Sequence, residues 1–209
     1  MSTTDRGTAL CYQVAASLLC YPDESLLEAL PVLDTATAEM AEDQAVLLRP
    51  LLAHVRDTPL LTLQQEYVET FDLRRRCALY LTYYAFGDTR KRGMALLNFK
   101  SAYRKAGLVL REDELPDHLA VLLEFAATAD LTNGRRLLLE HRAGLELLHL
   151  SLRDRGSPYA GAVGAVSATL PRLGGDEHEA VRRLVLQGPP NEEVGLEPFA
   201  PPDYMGART

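Results

Sequence analysis

The apolar positions of this 209-residue chain recur at helical spacing. From about Thr8 to Cys20, residues Ala9, Tyr12, Ala16, Leu19 and Cys20 fall near one stripe, which predicts a first helix. Tyr21-Pro22-Asp23 breaks it, because the residue before a proline is pushed out of helical conformation. Asp23 can cap a second helix through Leu26, Leu27 and Leu30. A third run, roughly Asp43 to Arg56, is apolar at Val46, Leu47, Leu51, Leu52 and Val55, and Pro50 inside it predicts a kink or an interruption. A fourth, from about Thr62, sets Leu63, Tyr67, Thr70 and Phe71 on one face with Glu66 and Glu69 beside it.

After an aromatic-rich stretch from Cys77 to Phe86, Gly87-Asp88-Thr89 reads as a break and a cap. A helix follows from about Arg90 to Ala106, apolar at Ala95, Leu96, Phe99, Ala102, Tyr103 and Ala106, and Gly107 suits its end. Pro116 suits a first helical turn and Asp117 its positive end, so the next helix is expected to run from there to about Ala129. Asn133-Gly134 punctuates, and one long helix is expected from about Arg135 to Arg155. Shorter helices are expected over roughly Tyr159 to Leu170 and Glu177 to Gln187. The expected fold is all-α: a single-domain bundle of about nine to ten helices over residues 1–187, with a Pro-rich irregular tail over 188–209.

Composition strengthens that reading. Leu (39) and Ala (26) dominate, against 12 Val and no Ile, and β-branched residues are the ones that favour strands. The net charge of −7 disfavours a general nucleic-acid binder. No apolar run reaches the roughly 20 residues that span a bilayer, and the polar start lacks a secretory pattern, so a cytoplasmic protein without membrane insertion is expected. Cys11, Cys20 and Cys77 form no Cys-x-x-Cys pair and read as buried free thiols. Charge is unevenly spread. Residues 74–111 hold ten Lys or Arg against one acid, a net +9, so the rest of the chain sums to −16.

No motif demands an enzyme: there is no Walker A loop, Gly-x-Gly-x-x-Gly or Gly-x-Ser-x-Gly. Glu146-Leu147-Leu148-His149 has the Glu-x-x-His spacing of helical di-iron sites, but such sites need it twice, so no metal is expected. Helical spacing would put Asp117, Val121 and Glu124 in one sector, with His118, Leu122, Phe125 and Ala129 beside it. A carboxylate face next to an apolar, aromatic stripe suits a basic, apolar peptide. The same residues also read as helix-start electrostatics plus a core histidine. Tyr67, Phe71, Tyr80, Tyr83 and Tyr84 could line a groove or pack the core. The basic band could bind an anion through Arg74, Arg75, Arg76, Arg90 and Arg92, or form a solvated face.

Four stretches carry a resemblance. Tyr67-Val68-Glu69-Thr70-Phe71-Asp72-Leu73-Arg74-Arg75-Arg76-Cys77-Ala78-Leu79-Tyr80-Leu81-Thr82-Tyr83-Tyr84, Gly87-Asp88-Thr89-Arg90-Lys91-Arg92-Gly93-Met94 and Glu114-Leu115-Pro116-Asp117-His118 resemble the NarJ (delta-subunit) family of assembly chaperones of respiratory nitrate reductase. The ending Gly188-Pro189-Pro190-Asn191-Glu192-Glu193-Val194-Gly195-Leu196-Glu197-Pro198-Phe199 does too. The Pro-Asp-His element is also similar to that of the wider group of chaperones for molybdenum oxidoreductases. The resemblance implies an all-helical cytoplasmic chaperone that is absent from the finished enzyme. Its implied partner is the N-terminal segment of the catalytic alpha subunit, alone or in an alpha–beta complex. Its implied task is to keep that subunit competent for molybdenum cofactor insertion, with no cofactor of its own. In a helix-in-groove mode, Tyr80, Tyr84, Leu122 and Phe125 would supply apolar walls, Glu114, Asp117 and Glu124 would face basic residues, and Tyr67 and His118 would complete the site. The competing expectation is a helical nucleotide- or cofactor-carrying protein built on the basic 74–111 segment.

Overall fold

The structure, a computed structural model, describes residues 3–110 and 114–190. Eleven α-helices run through them: α1 Thr3–Leu19, α2 Glu24–Ala38, α3 Glu42–Asp57, α4 Leu60–Tyr67, α5 Leu81–Phe86, α6 Arg90–Lys105, α7 Leu119–Thr128, α8 Leu131–Glu140, α9 Arg142–Arg153, α10 Ala160–Ala168 and α11 Gly175–Gln187. A π turn over Val68–Asp72 prolongs α4, and a 3-10 turn covers Arg75–Cys77. Among the described residues there is no strand, and extended pairing is limited to an isolated antiparallel bridge between Tyr80 and His118. The chain is all-α, as its Leu and Ala content predicts.

α1 lies at the centre. Cys11, Tyr12, Val14, Ala15, Ala16, Leu18 and Leu19 are all buried, so nearly the whole circumference of its second half is covered. A helix apolar all round must be enclosed by others, and here α7, α10, α2 and α3 enclose it. Tyr12 crosses the core to share a hydrogen bond with Thr169 Oγ1 at 2.8 Å. α10 is a small-residue helix, buried from Ala162 to Val166 and wedged among α1, α3 and α9. Caps agree with the sequence at α2, where Asp23 Oδ1 accepts the Leu26 N–H at 3.0 Å.

Four local expectations are corrected. α3 runs unbroken through Pro50. Pro50 and Val46 both lie on its exposed side, so the Val46 carbonyl that loses its helical donor can turn to water. The expected long helix from Arg135 to Arg155 is two helices, broken at His141 (φ −110°, ψ 21°). That break and the short α5 raise the count above nine to ten. Asn133-Gly134 does not punctuate but sits inside α8, capped by the Asp130 carboxylate on Asn133 N at 2.9 Å. Finally, α7 starts at Leu119, leaving Pro116 and Asp117 in the turn before it. Of the expected tail, Gly188–Pro190 are described, and residues 191–209 lie outside the described residues.

Gly134 shows how closely α7 and α8 approach. A Cβ placed there would sit 2.2 Å from the Ala126 Cβ. Ala is a better helix former than Gly by about 1 kcal/mol, but forced overpacking costs about 1–3 kcal/mol. Gly134→Ala is therefore expected to destabilise the fold by up to about 2 kcal/mol in urea denaturation. Ala126→Gly in the same chain should recover part of that loss.

Candidate functional site

The Pro-Asp-His turn is built into the fold through its backbone. Leu119 N–H donates to the Leu79 carbonyl at 2.8 Å, and Leu81 N–H donates to the Asp117 carbonyl at 3.1 Å. These two bonds lay residues 79–81 antiparallel to 117–119 and bring the Tyr80 and His118 rings to 5.3 Å, edge to face. The Asp117 side chain is 0% exposed. Its Oδ2 accepts from the Thr82 N–H at 3.1 Å and the Thr82 hydroxyl at 2.5 Å. Arg92, reaching in from α6, lies 3.6 Å from the same oxygen. It donates from Nε to Thr82 Oγ1 at 3.1 Å and from Nη1 to Asp88 at 2.8 Å, with its guanidinium 5.5 Å from the Tyr80 ring. Tyr103, also on α6, donates to the Pro116 carbonyl at 2.6 Å.

This arrangement corrects the expected role of Asp117. The turn before α7 points the carboxylate inward, so it faces Thr82 and Arg92 rather than an incoming peptide. Arg92 is likewise spent inside and is not part of an anion-binding surface. Its neighbours in the basic band are also dispersed. Arg74 Nε donates to the Glu69 carbonyl at 2.9 Å, Arg75 Nε donates to the Tyr83 hydroxyl at 2.5 Å, Arg76 lies on the 3-10 turn, and Arg90 is exposed at the start of α6. Glu146 is also occupied: its Oε1 takes Arg142 Nε and Ser167 Oγ, each at 2.6 Å. No group of three or more His, Cys, Asp or Glu among the described residues is placed to hold a metal ion.

A cleft of about 540 Å³ opens beside the turn. The end of α1 supplies Cys20 and Tyr21, the π turn supplies Phe71 and Asp72, and α7 supplies Ala120, Val121 and Glu124. Tyr67, Leu79, Tyr80, Leu110, Glu114 and His118 complete the lining. Its floor is a run of contacting rings, Tyr21 on Tyr67 at 5.5 Å and Tyr67 on Phe71 at 4.8 Å, and Phe71 rests in turn on the buried Tyr159 at 4.9 Å. The Tyr67 hydroxyl is tied to the Leu19 carbonyl at 3.0 Å, which fixes that floor to α1. Asp72, Glu114 and Glu124 are exposed around it. Their field is legible on neighbouring groups. Loss of water around the sulfur at the cleft's edge first, then Glu124, Glu114 and Asp23, push the Cys20 thiol up to about 11. Burial, and then Asp117, Asp72 and Glu114, raise the Tyr80 phenol.

Of the candidate residues, Tyr67, Tyr80, Glu114, His118 and Glu124 therefore share one cleft. Tyr84, Leu122 and Phe125 do not line it. All three are buried in the core, with the Tyr84 hydroxyl held by the Ala78 carbonyl at 2.8 Å. Tyr21 and Asp72 were missed. Tyr21 read as part of a helix break, and no period announces a π turn. Cys20, expected to be buried, is exposed at the cleft's edge, while Cys11 and Cys77 are buried.

Residues 33–164 match the model of a family described as the nitrate reductase delta subunit. The chain belongs to this nitrate reductase delta-subunit family. It is 33% identical over 178 residues to a Bacillus subtilis protein called "Probable nitrate reductase molybdenum cofactor assembly chaperone NarJ", a match covering 83% of this chain and 94% of that one. It is 40% identical over 163 residues to "Nitrate reductase-like protein NarX" of Mycobacterium tuberculosis, covering 78% of this chain but 24% of that longer relative. The fold is shared with an Archaeoglobus fulgidus crystal structure described as that of "A Putative Redox Enzyme Maturation Protein". That likeness has a TM-score of 0.56 at 22% identity, over 77% of this chain and 91% of the other. Relatives in Bacillus subtilis and Escherichia coli are described as nitrate reductase molybdenum cofactor assembly chaperones, whereas this chain spans about a quarter of the length of the Mycobacterium relative.

Two outcomes follow for this delta-subunit family member. Removing one partner of a buried ion pair typically costs about 3–5 kcal/mol. Asp117→Ala should therefore lower stability by about 3 kcal/mol, while Asp117→Asn, which can still accept from Thr82, should cost less. Melting temperatures of both variants check this. His118 is held neutral, its pKa pulled down to about 4 chiefly by burial, against the opposing pull of Asp117. An unfolded histidine titrates near 6.5, so between pH 6.5 and 4 the unfolded chain binds more protons than the folded one. The stability from keeping His118 neutral is complete above about pH 6.5 and is lost as pH falls towards 4, by roughly 2–3 kcal/mol. His141 and His149 are also lowered by burial, so the difference between wild type and His118→Gln across that window isolates the contribution.

Proposed function

We propose that this chain is a system-specific chaperone for nitrate reductase. It binds the N-terminal segment of the alpha (catalytic) subunit and keeps that subunit competent for molybdenum cofactor insertion before membrane docking. It works in the cytoplasm, holds no cofactor of its own and leaves before the enzyme is complete. Family membership supports the chaperone role. The observation that carries peptide binding is the cleft, with an aromatic floor of Tyr21, Tyr67 and Phe71 beneath Asp72, Glu114 and Glu124. An amphipathic peptide would lay its apolar face on the rings and its basic residues against the carboxylates. His118 lines the cleft wall beside Tyr80. Among the described residues no helix is long and apolar enough to cross a membrane.

Calorimetry with a synthetic peptide of the cognate alpha subunit's N-terminal segment tests this. Exposed charge contacts contribute roughly 0.2–1 kcal/mol and partly desolvated ones more. Glu114→Gln and Glu124→Gln should each weaken binding by a modest factor up to about tenfold, with the loss shrinking at high salt. Tyr80→Ala, which opens the cleft wall, should weaken it at all salt concentrations. Wild-type affinity in all three variants would remove the cleft as the client site. A titration with guanine nucleotides should show no binding, as a peptide chaperone requires none.

A further inference from the structure

The outward face of α6 pairs charge with uncovered apolar surface. Arg90–Lys105 contains six cations and no acid: Arg90, Lys91, Arg92, Lys100, Arg104 and Lys105. Phe99, Ala102 and Tyr103 turn into the core, which leaves Met94 and Leu97 in the middle of the outward face, 71% and 54% exposed. Apart from the internal Arg92, the cations lie on the exposed side around them. Lys91, Lys100 and Lys105 are the chain's three lysines.

The described chain ends at the foot of this face. Gly188 N–H closes α11 on the Leu184 carbonyl at 2.8 Å, and Pro189 is buried behind it. The Pro190 carbonyl then lies 3.5 Å from Arg75 Nη2. It also abuts Gly87, where an added Cβ would come within 2.7 Å of that oxygen. Gly87 has φ +55°, which suits glycine, and it stands three residues before Arg90. The segment after Pro190 therefore starts beside the N-terminal end of α6. Residues 191–199 read Asn-Glu-Glu-Val-Gly-Leu-Glu-Pro-Phe: three carboxylates, no cation, and Val194, Leu196 and Phe199 between and after them. Nine residues reach up to about 30 Å, and the sixteen residues of α6 extend about 24 Å.

We propose that residues 191–199 dock along the outward face of α6, with Glu192, Glu193 and Glu197 against its lysines and arginines and the apolar side chains over Met94 and Leu97. The length, the point of departure and the opposite charge all fit this occupant. Exposed ion pairs are individually weak and salt-screened, so the cover is reversible, and an acidic partner surface could displace it. The proposal does not rest on client binding in the cleft.

The test uses the full-length chain. Carbodiimide joins lysine amines to carboxylates that touch them, and a mixture of 15N-labelled and unlabelled protein separates links within a chain from links between chains. Coupling of Lys91, Lys100 or Lys105 to Glu192, Glu193 or Glu197 is expected within single chains. Oxidation of Met94 by dilute peroxide, read by peptide mass spectrometry, is expected to be severalfold slower in wild type than in a full-length Glu192→Lys, Glu193→Lys, Glu197→Lys variant. That difference should vanish at high salt. Equal Met94 oxidation in the two chains overturns the proposal. So does coupling in which mixed-isotope products make up about the half expected for random pairing of chains, which would assign the face to a second copy, or the absence of any coupling to these three glutamates.

Discussion

The buried carboxylate of Asp117 is the contact on which the site's geometry depends. An ion taken out of water is costly unless it is paired and hydrogen-bonded. Here the cost is offset by two donors from Thr82 and by the nearby Arg92 guanidinium. These partners come from α5 and α6, while Asp117 itself precedes α7. One side chain thus fixes three elements against one another. The backbone bonds from Leu119 and Leu81 then set Tyr80 beside His118, and those two rings form one wall of the cleft. The Pro-Asp-His string divides its labour in the same way. The Pro116 carbonyl receives Tyr103, Asp117 anchors the crossing, and His118 reaches the cleft.

The fold class was legible because helical periodicity and Leu/Ala content are local properties. What escaped were events decided by tertiary contact. The pattern is continuous from Arg135 to Arg155, yet the chain turns at His141 so that α9 can pack on α5, α10 and α11. Gly134 looks like punctuation in the sequence, but its missing side chain serves the approach of α7 to α8. The site was half legible for a related reason. Residue type nominated carboxylates and rings, and of these Tyr67, Tyr80, Glu114, His118 and Glu124 line one cleft. A helical wheel gives sectors without saying which sector meets a neighbour, so Leu122 and Phe125 were assigned to a wall when they belong to the core. Starting α7 early also placed Asp117 on a wheel it never joins.

Charge is segregated in space as well as in sequence. Carboxylates gather at the cleft around Asp72, Glu114 and Glu124, while the cations of α6 spread over its outward face, the two meeting where Glu114 shares a small pocket with Lys100 and Arg104. A molecule arranged this way orients approaching charged segments before contact. Its modest net charge conceals two surfaces of opposite preference.

The π turn at Val68–Asp72 has a consequence for how the site is encoded. Leu73 N–H bonds to the Val68 carbonyl five residues back, one more than an α-helix allows. That one extra residue sets the angle at which Phe71 enters the floor and Asp72 reaches the rim. The site is therefore written in the spacing of the chain as well as in its side chains. Losing a single residue from this turn would restore an ordinary helix and rotate everything after it by about 100°. The ring and the carboxylate would leave the cleft although every residue type that defines it was still present.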